Sequence, residues 1–278
     1  MGELPQPPVA SALVPDGLRL GPDDNGAGKL PRYLSGCGFA PCEPWEPCEP
    51  YELDTSTETK LDSLPRGGSI VDSMNVVIVG AGYVGLTTGV SLAYAGHQVT
   101  VVEIEPDKLA TLQSGKSPIH EHALEELMRE AGSRLSFSAS AEETVGDAEL
   151  VMIAVGTPCR PDGQAENRYV EEAARQVAQG LREVQTCTLV VKSTVPLGTN
   201  RRVAHVVERT VEERGLSPRT TVHVASNPEF LREGTALQDM LYPDRIVVGA
   251  DDPSTADVLR RLYRPILEQT FEPPPYLP

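Results

Sequence analysis

From Met74 onward, short apolar runs alternate with longer stretches in which apolar residues recur every three or four positions. The first pattern is typical of buried strands and the second of amphipathic helices. The predicted strands are Asn75–Val79, Gln98–Glu103, Arg134–Ser136, Leu150–Val155, Thr188–Lys192, Thr221–Ala225 and Arg245–Gly249. The predicted helices are Val84–Ala95, Pro106–Gln113, Ala123–Ala131, Tyr169–Gly180, Thr199–Arg214 and Ser254–Ile266. Strands joined by such helices favour an α/β fold with a doubly wound, mostly parallel sheet of the Rossmann type.

The composition is different before Met74. Prolines recur every few residues with acids between them, as in the stretch from Pro41 to Pro50. Such a segment buries little surface, so we predict that residues 1–73 are a disordered, acidic extension and that residues 74–278 form the Rossmann-type domain. The extension is either inert or a ligand for a proline-recognising module. Its cysteines lack the spacing of a metal site, and we predict no metal.

Charge and hydropathy limit the classes of partner. The formal net charge of −16 at pH 7 disfavours non-specific binding of nucleic acid. No apolar run reaches the length of a membrane span, and the first residues lack the basic and apolar regions of a signal peptide. We therefore expect no nucleic-acid partner, no membrane attachment and a cytoplasmic location.

The turn Gly80-Ala81-Gly82-Tyr83-Val84-Gly85 lies between the first predicted strand and the first predicted helix. That context is the one in which a glycine-rich turn binds a dinucleotide. Gly80 permits the sharp turn, Gly82 lets the backbone approach a pyrophosphate, and Gly85 lets helix and strand pack closely. The N–H groups at the helix start then hold the phosphate charge.

Glu103 ends the second predicted strand, about 20 residues beyond the glycine turn. A carboxylate at this position accepts hydrogen bonds from the ribose hydroxyls of adenosine and repels the extra phosphate of NADP. NAD is therefore the predicted cofactor. The alternative is an ordinary strand–helix–strand unit with a solvated glutamate.

Three further strand ends carry polar residues followed by proline. They are Val155-Gly156-Thr157-Pro158, Lys192-Ser193-Thr194-Val195-Pro196 and Ser226-Asn227-Pro228-Glu229. Each turn alone could be a capped helix start. Because ligands bind at the carboxyl ends of parallel strands, three such turns beside a cofactor loop favour a reaction site.

The chain from Met74 resembles the UDP-glucose/GDP-mannose dehydrogenase family. The matching stretches, in family order, are Gly80 to Gly85; Glu103 with Lys108; Pro118-Ile119-His120-Glu121 with Leu124 and Leu127; Val155 to Pro158; Lys192 to Pro196; Asn227-Pro228-Glu229-Phe230-Leu231-Arg232-Glu233-Gly234; and Pro243-Asp244-Arg245. The Ser-Thr-Val-Pro and Asn-Pro-Glu-Phe-Leu stretches are specific to this group, and together the matches cover nearly everything after Met74.

The resemblance implies an NAD-dependent, four-electron oxidation of UDP-glucose to UDP-glucuronate, a step that serves polysaccharide biosynthesis. The implied cofactor residues are Gly80, Gly82, Tyr83, Val84, Gly85, Glu103, Lys108, Thr157, Thr194 and Glu233. The implied substrate residues are Glu229, Phe230, Leu231, Arg232 and Glu233. Catalytic roles fall to Glu229, which manages protons through ordered water, and to Thr194, which fixes that water.

Family members also use a Lys and an Asn on a central helix, a later nucleophilic Cys and a UDP-binding domain, and they are homo-oligomers. The chain reaches Pro278 before any of these parts, and Cys159 and Cys187 do not match the Cys motif. We therefore expect an amino-terminal fragment that is inactive alone and lacks the dimer helix. Two alternatives stay open, namely oxidation of GDP-mannose or a UDP-N-acetylhexosamine, and a non-catalytic NAD-binding module.

Overall fold

The computed structural model describes residues 9–13, 72–161, 163 and 165–277. Most of the proline-rich extension, including its three cysteines, lies outside these residues. For that part, the disorder that we predicted stays a prediction. Within it, Val9–Leu13 forms strand β1. No strand was predicted there, and the segment is a short run without proline between Pro8 and Pro15.

The chain forms one mixed sheet. After β1, its strands are β2 (Asn75–Val79), β3 (Gln98–Val102), β4 (Leu135–Ser138), β5 (Leu150–Ile153), β6 (Thr186–Val191), β7 (Thr221–Ser226) and β8 (Ile246–Ala250). The order across the sheet is β1-β8-β7-β6-β5-β2-β3-β4. The strands from β7 to β4 run parallel, whereas β8 is antiparallel to both β7 and β1. The six parallel strands therefore have the Rossmann order, which confirms the predicted fold class.

The helices are α1 (Tyr83–Tyr94), α2 (Pro106–Gln113), α3 (Leu124–Ala131), α4 (Ala141–Thr144), α5 (Arg168–Gly180), α6 (Thr199–Glu213), α7 (Ala236–Leu241) and α8 (Pro253–Leu267). The short helices α4 and α7 were not predicted, because four and six residues are too few to show a helical period. Among the described residues no helix is both long and apolar enough to cross a bilayer.

Two apolar clusters cover the two faces of the sheet. Val76 and Ile78 of β2 belong to one cluster, together with buried residues of α1, α3, α7 and α8. Val77 and Val79 belong to the other, with residues of α4, α5 and α6. Because successive side chains of a strand point to opposite faces, this division is what a doubly wound sheet requires. The loops that follow the parallel strands are thereby held at one edge.

Candidate functional site

The loops after β2, β3, β5, β6 and β7 all leave the carboxyl edge of the sheet, because these strands are parallel. After β4, at one edge of the sheet, the chain crosses back to β5, which lies on the other side of β2. In open α/β sheets a crevice forms where the strand order reverses in this way, and ligands bind there. The sequence-predicted turns therefore meet around one crevice.

The glycine turn is fixed by the backbone itself. Gly80 has φ of +106°, and a Cβ there would lie 2.8 Å from the carbonyl oxygen of Ala154. A Cβ on Gly85 would lie 1.9 Å from the carbonyl oxygen of Gly80. By contrast, nothing lies within 4 Å of a Cβ built on Gly82. Two glycines are thus required by packing, and the third faces open space.

That open space lies at the start of α1. Gly82 is the N-cap residue, no side chain of the described residues caps the helix, and its first turn has no acidic residue. The first N–H groups of a helix have no partner within the helix, and they carry a partial positive charge. An uncapped helix start beside open space fits a pyrophosphate, so these residues suit a dinucleotide such as NAD.

Glu103 directly follows β3, and its backbone N–H donates to the carbonyl oxygen of Ser138 at 2.9 Å. Its carboxylate accepts the N–H of Glu105 at 2.9 Å, which holds the side chain at the strand end. Lys108 does not pair with Glu103. Its ammonium lies 2.6 Å from the carboxylate of Glu105, which raises the pKa of Lys108. Ile104 lies between Glu103 and Glu105 in the chain, and its side chain is 74% exposed. It was not among the residues that we predicted for the site.

The loops after β5 and β6 are joined to each other. The Thr157 hydroxyl donates to the carbonyl oxygen of Thr194 at 2.8 Å. The Ser193 hydroxyl donates to the carbonyl oxygen of Val155 at 2.7 Å. The structure thus brings Thr157 and Thr194 together, and it leaves the Thr194 side chain exposed.

The loop after β7 begins at a buried hydrogen-bond cluster. The Asn227 amide donates to the carbonyl oxygen of Val247 at 2.8 Å. Its Oδ1 accepts from Lys192 Nζ at 3.1 Å and from the Tyr263 hydroxyl at 2.5 Å. Burial lowers the pKa of Lys192 to about 8, and the charge of Glu229 opposes this shift. The burial of Lys192 was not predicted, because a lysine at a strand end is usually solvated.

The rest of this loop carries the predicted substrate residues, which differ from one another in exposure. Glu229 is partly buried, and its carboxylate accepts the N–H of Leu231 at 2.6 Å. Phe230 is 49% exposed, and the Arg245 guanidinium lies 4.7 Å from the centre of its ring. Arg232 is exposed and Glu233 lies beside it on the same loop.

Arg232 is tied to helix α7. Its Nη2 donates to Asp239 Oδ1 at 2.6 Å, and its Nε donates to Asp239 Oδ2 at 3.2 Å. The guanidinium holds the pKa of the Asp239 carboxyl below its usual range. Arg232 is therefore a structural anchor for the loop in this arrangement.

A cavity of about 430 Å³ opens between this loop and the start of β8. Charged and polar residues dominate its lining, which includes Lys192, Asn227, Glu229, Arg232, Asp244 and Arg245. A cavity of this size and polarity suits part of a sugar with its phosphates.

Hydrogen bonds also join the loop after β7 to the glycine turn. Tyr83, the first residue of α1, donates its hydroxyl to the carboxylate of Glu121. The Gly234 N–H donates to the Tyr83 hydroxyl at 2.7 Å and to Glu121 Oε2 at 2.9 Å. Burial and the bond to Glu121 raise the pKa of Tyr83 to about 12. Glu121 lies in a family stretch, but its partner could not be deduced from the sequence.

The two described cysteines differ in accessibility. Cys187 is buried in the core, and burial raises the pKa of its thiol to about 12. Cys159 is exposed in the loop after β5. The described residues contain no group of three or more His, Cys, Asp or Glu arranged to hold a metal ion.

The Rossmann strand order and the glycine turn define a dinucleotide-binding domain. Residues 74–267 match the family described as "UDP-glucose/GDP-mannose dehydrogenase family, NAD binding domain". The chain therefore belongs to this family, which confirms the resemblance, and NAD is confirmed as the cofactor that the matched domain binds.

Named relatives and solved structures agree with this assignment. The chain is 44% identical over 196 residues to a UDP-glucose 6-dehydrogenase of Pseudomonas aeruginosa, and 43% identical over 194 residues to one of Bacillus subtilis. The alignments cover 70% and 69% of this chain. The structure of a UDP-glucose dehydrogenase from Pyrobaculum islandicum is 41% identical, with a TM-score of 0.65 over 73% of this chain. A GDP-mannose dehydrogenase from Pseudomonas aeruginosa is 35% identical, with a TM-score of 0.63 over 69% of it.

These relatives are much longer than the matched region. The alignments cover 42% of both UDP-glucose 6-dehydrogenases, 46% of the Pyrobaculum chain and 44% of the GDP-mannose dehydrogenase. The chain thus spans less than half the length of each relative.

Proposed function

We propose that this chain supplies the NAD-binding half of a nucleotide-sugar oxidation, with UDP-glucose as the substrate. The observation that carries the proposal is the crevice itself. The uncapped start of α1 and the loops of Thr194 and Glu229 meet at one edge of the sheet. A hydride acceptor and a proton acceptor are both needed to oxidise an alcohol, and this edge offers room for the first and a residue for the second.

The cofactor residues follow from the turn and the neighbouring strand ends. The N–H groups after Gly82 hold the pyrophosphate, and the Glu103 carboxylate accepts the ribose hydroxyls. Ile104 offers an exposed apolar face for the adenine ring. NAD, when bound, supplies the acceptor for the hydride. Thr157, Thr194 and Glu233 line its nicotinamide half, while Lys108 lies on the ribose side.

The reacting end of the site is assigned to Glu229 and Thr194. Glu229 accepts the proton of the sugar alcohol through a water that the Thr194 hydroxyl orients. Glu229 to Glu233 lie along the sugar and its phosphates. Buried Lys192, through Asn227, keeps the start of this loop in place.

UDP-glucose is favoured over the other sugars because two UDP-glucose 6-dehydrogenases are 43% and 44% identical to the chain. The GDP-mannose dehydrogenase is 35% identical, which keeps GDP-mannose as the second candidate. A binding assay separates them, because we expect the chain alone to be inactive. The chain with saturating NAD is titrated with UDP-glucose, GDP-mannose or UDP-N-acetylmannosamine, and the Kd of each sugar nucleotide is measured by calorimetry. Tightest binding of UDP-glucose supports the proposal, and tighter binding of another sugar contradicts its substrate. Sustained NADH formation would contradict the expectation that the chain is inactive alone.

Titration of the whole chain with NAD tests the cofactor half separately from turnover. We expect NAD to bind more tightly than NADP, because the Glu103 carboxylate repels a 2′-phosphate. Glu103→Lys removes the acceptor of the ribose hydroxyls, and we expect the Kd for NAD to rise about tenfold, the effect of about 1.4 kcal/mol. Glu213→Lys is the matched control, because it makes the same change of charge at an exposed position at the end of α6. Equal affinity of the Glu103→Lys chain and the unchanged chain would contradict the placement of the ribose.

Two other expectations stay predictions. They are a cytoplasmic location and the homo-oligomeric assembly of the full-length family members. Sedimentation of the purified chain measures its own oligomeric state.

A further inference from the structure

The junction of Tyr83, Glu121 and Gly234 connects three separate parts of the chain. Tyr83 is the first residue of α1 and directly follows Gly82, the glycine that faces open space. Gly234 ends the loop that carries Glu229. Glu121 lies between α2 and α3 and receives bonds from both of the others. The glycine turn and the loop of Glu229 to Gly234, here called the substrate loop, are therefore joined directly through the Tyr83 hydroxyl and also through the Glu121 carboxylate.

The loop has two further side-chain anchors, and neither of them includes a residue of the glycine turn, although the Tyr83 hydroxyl also donates to the carbonyl oxygen of Arg232 at 3.4 Å. Asn227 is held at its start by Lys192 and Tyr263. Arg232 is held in its middle by Asp239 of α7. Only the junction, among these three anchors, contains a residue of the helix start where the pyrophosphate would lie. A ligand that restricts Tyr83 thus acts on the far end of the substrate loop.

The backbone at Gly234 suits this arrangement. Its φ of +88° lies in the left-handed region, which glycine adopts without strain. In this conformation its N–H bonds to the Tyr83 hydroxyl and to Glu121. Burial and the bond to Glu121 raise the pKa of Tyr83 to about 12, so its hydroxyl stays protonated, and able to donate to Glu121, to a higher pH than an exposed tyrosine.

We propose that Glu121 is a positioning residue which, with Tyr83, transmits occupancy of the cofactor site to the loop of Glu229 to Gly234. The proposal rests on the proposed function, because it takes the start of α1 as the pyrophosphate site. NAD bound there restricts the Tyr83 ring, the ring fixes Glu121 and Gly234, and the substrate loop opens less often. The two sites are then coupled, since whatever orders the loop also favours NAD.

Hydrogen–deuterium exchange of the whole chain tests this coupling without an assay of turnover. Peptides that span residues 230–238 are followed by mass spectrometry, with and without saturating NAD. Tyr83→Phe keeps the ring and removes the hydroxyl. We expect exchange at Gly234 to become about five- to tenfold faster in the absence of NAD, the effect of one or two lost hydrogen bonds. We expect NAD to slow exchange in the unchanged chain and to have no such effect in Tyr83→Phe.

Three other variants complete the test. Glu121→Ala should reproduce Tyr83→Phe, whereas Glu121→Gln should recover most of the protection, because an amide oxygen still accepts both bonds. Tyr169→Phe is the matched control, since Tyr169 is a half-exposed tyrosine on α5. Arg232→Gln removes the guanidinium bonds to Asp239 and leaves the bond from its backbone N–H, so it weakens the middle anchor. It should speed exchange near Arg232 and keep the response to NAD.

The results separate the two proposals. If the unchanged chain binds no NAD, the proposed function fails and the coupling fails with it, although faster exchange in Tyr83→Phe still demonstrates the anchor. If NAD binds and exchange in the loop does not respond, only the coupling is overturned. The same conclusion follows if Arg232→Gln abolishes the response as fully as Tyr83→Phe does.

Discussion

The loop after β2 and the loop after β7 leave the same edge of the sheet, but different forces fix their shapes. In the first, Gly85 packs so closely on Gly80 that a Cβ would lie 1.9 Å from its carbonyl oxygen. The second is held by side chains, at Asn227, at Arg232 and at the junction with Tyr83. A side chain added at Gly85 would disrupt the whole first turn, because it would collide with the backbone. In the second loop, each side-chain anchor can be broken while the others stay in place.

This difference suits the parts that we assign to the two loops. The pyrophosphate site needs N–H groups that are already in place before the ligand arrives. The substrate loop must admit and release a sugar nucleotide, so anchors of modest strength are an advantage. A first loop that accepts a side chain at Gly85 would contradict this difference. A second loop that is unaffected by the loss of its anchors would also contradict it.

The largest effect is expected for Gly85→Ala. Because the added methyl group meets backbone and not a flexible side chain, we expect the free energy of unfolding to fall by at least about 4 kcal/mol. Urea titration followed by circular dichroism measures this change. Gly82→Ala is the matched control. Its methyl group meets nothing within 4 Å, so stability should stay within about 1 kcal/mol while the Kd for NAD rises at least about tenfold. Normal stability of Gly85→Ala would contradict the packing argument.

A smaller effect is expected for the first anchor of the other loop. Asn227→Ala removes the acceptor of two buried donors and a donor to Val247. We expect a loss of about 3 kcal/mol, because a buried ammonium group then lacks its partner. Tyr263→Phe removes one of these bonds and should cost about 1 kcal/mol. Equal losses in the two variants, measured by urea titration, would show that Asn227 has no special part in the anchor.

The smallest effect concerns pH. The folded pKa of Lys192, about 8, lies below the ordinary lysine pKa of 10.5, so between these values the unfolded chain binds more protons than the folded one. The free energy of unfolding should therefore rise with pH across this window, by about 2 kcal/mol. Lys192→Met lacks this titration, and groups that both chains share cancel when the two are compared. A difference between the two chains that is constant from pH 8 to 10.5 would contradict burial of the charged lysine.

Much of the fold and of the first loop could be predicted from the sequence, because local rules determine them. The helix at Pro106–Gln113 has the predicted bounds, and the strand at Asn75–Val79 does too. Glycines at fixed spacing after a strand predict a tight turn into a helix without any knowledge of distant contacts. Other strand ends shifted by one to two residues, as at Leu135–Ser138, where a turn at Gly132–Arg134 delays the strand.

The second loop could be located but its anchors could not. Lys192 and Asn227 are 35 residues apart, and Tyr83 and Gly234 are 151 residues apart. Neither pair leaves a local pattern, because the contacts exist only after the sheet has formed. The antiparallel direction of β8 was missed for the same reason. The ion pair of Lys108 with Glu105 was not predicted either, and the cofactor role of Lys108 stays a prediction.

The contrast between the two described thiols has a practical consequence. At neutral pH a maleimide should react with exposed Cys159 and leave Cys187 unmodified, because a buried thiol is neither accessible nor ionised. With Cys37, Cys42 and Cys48 replaced by serine, one reactive position is left among the cysteines. It lies two residues beyond Thr157, so a fluorophore attached there is placed to follow the arrival of the dinucleotide in real time.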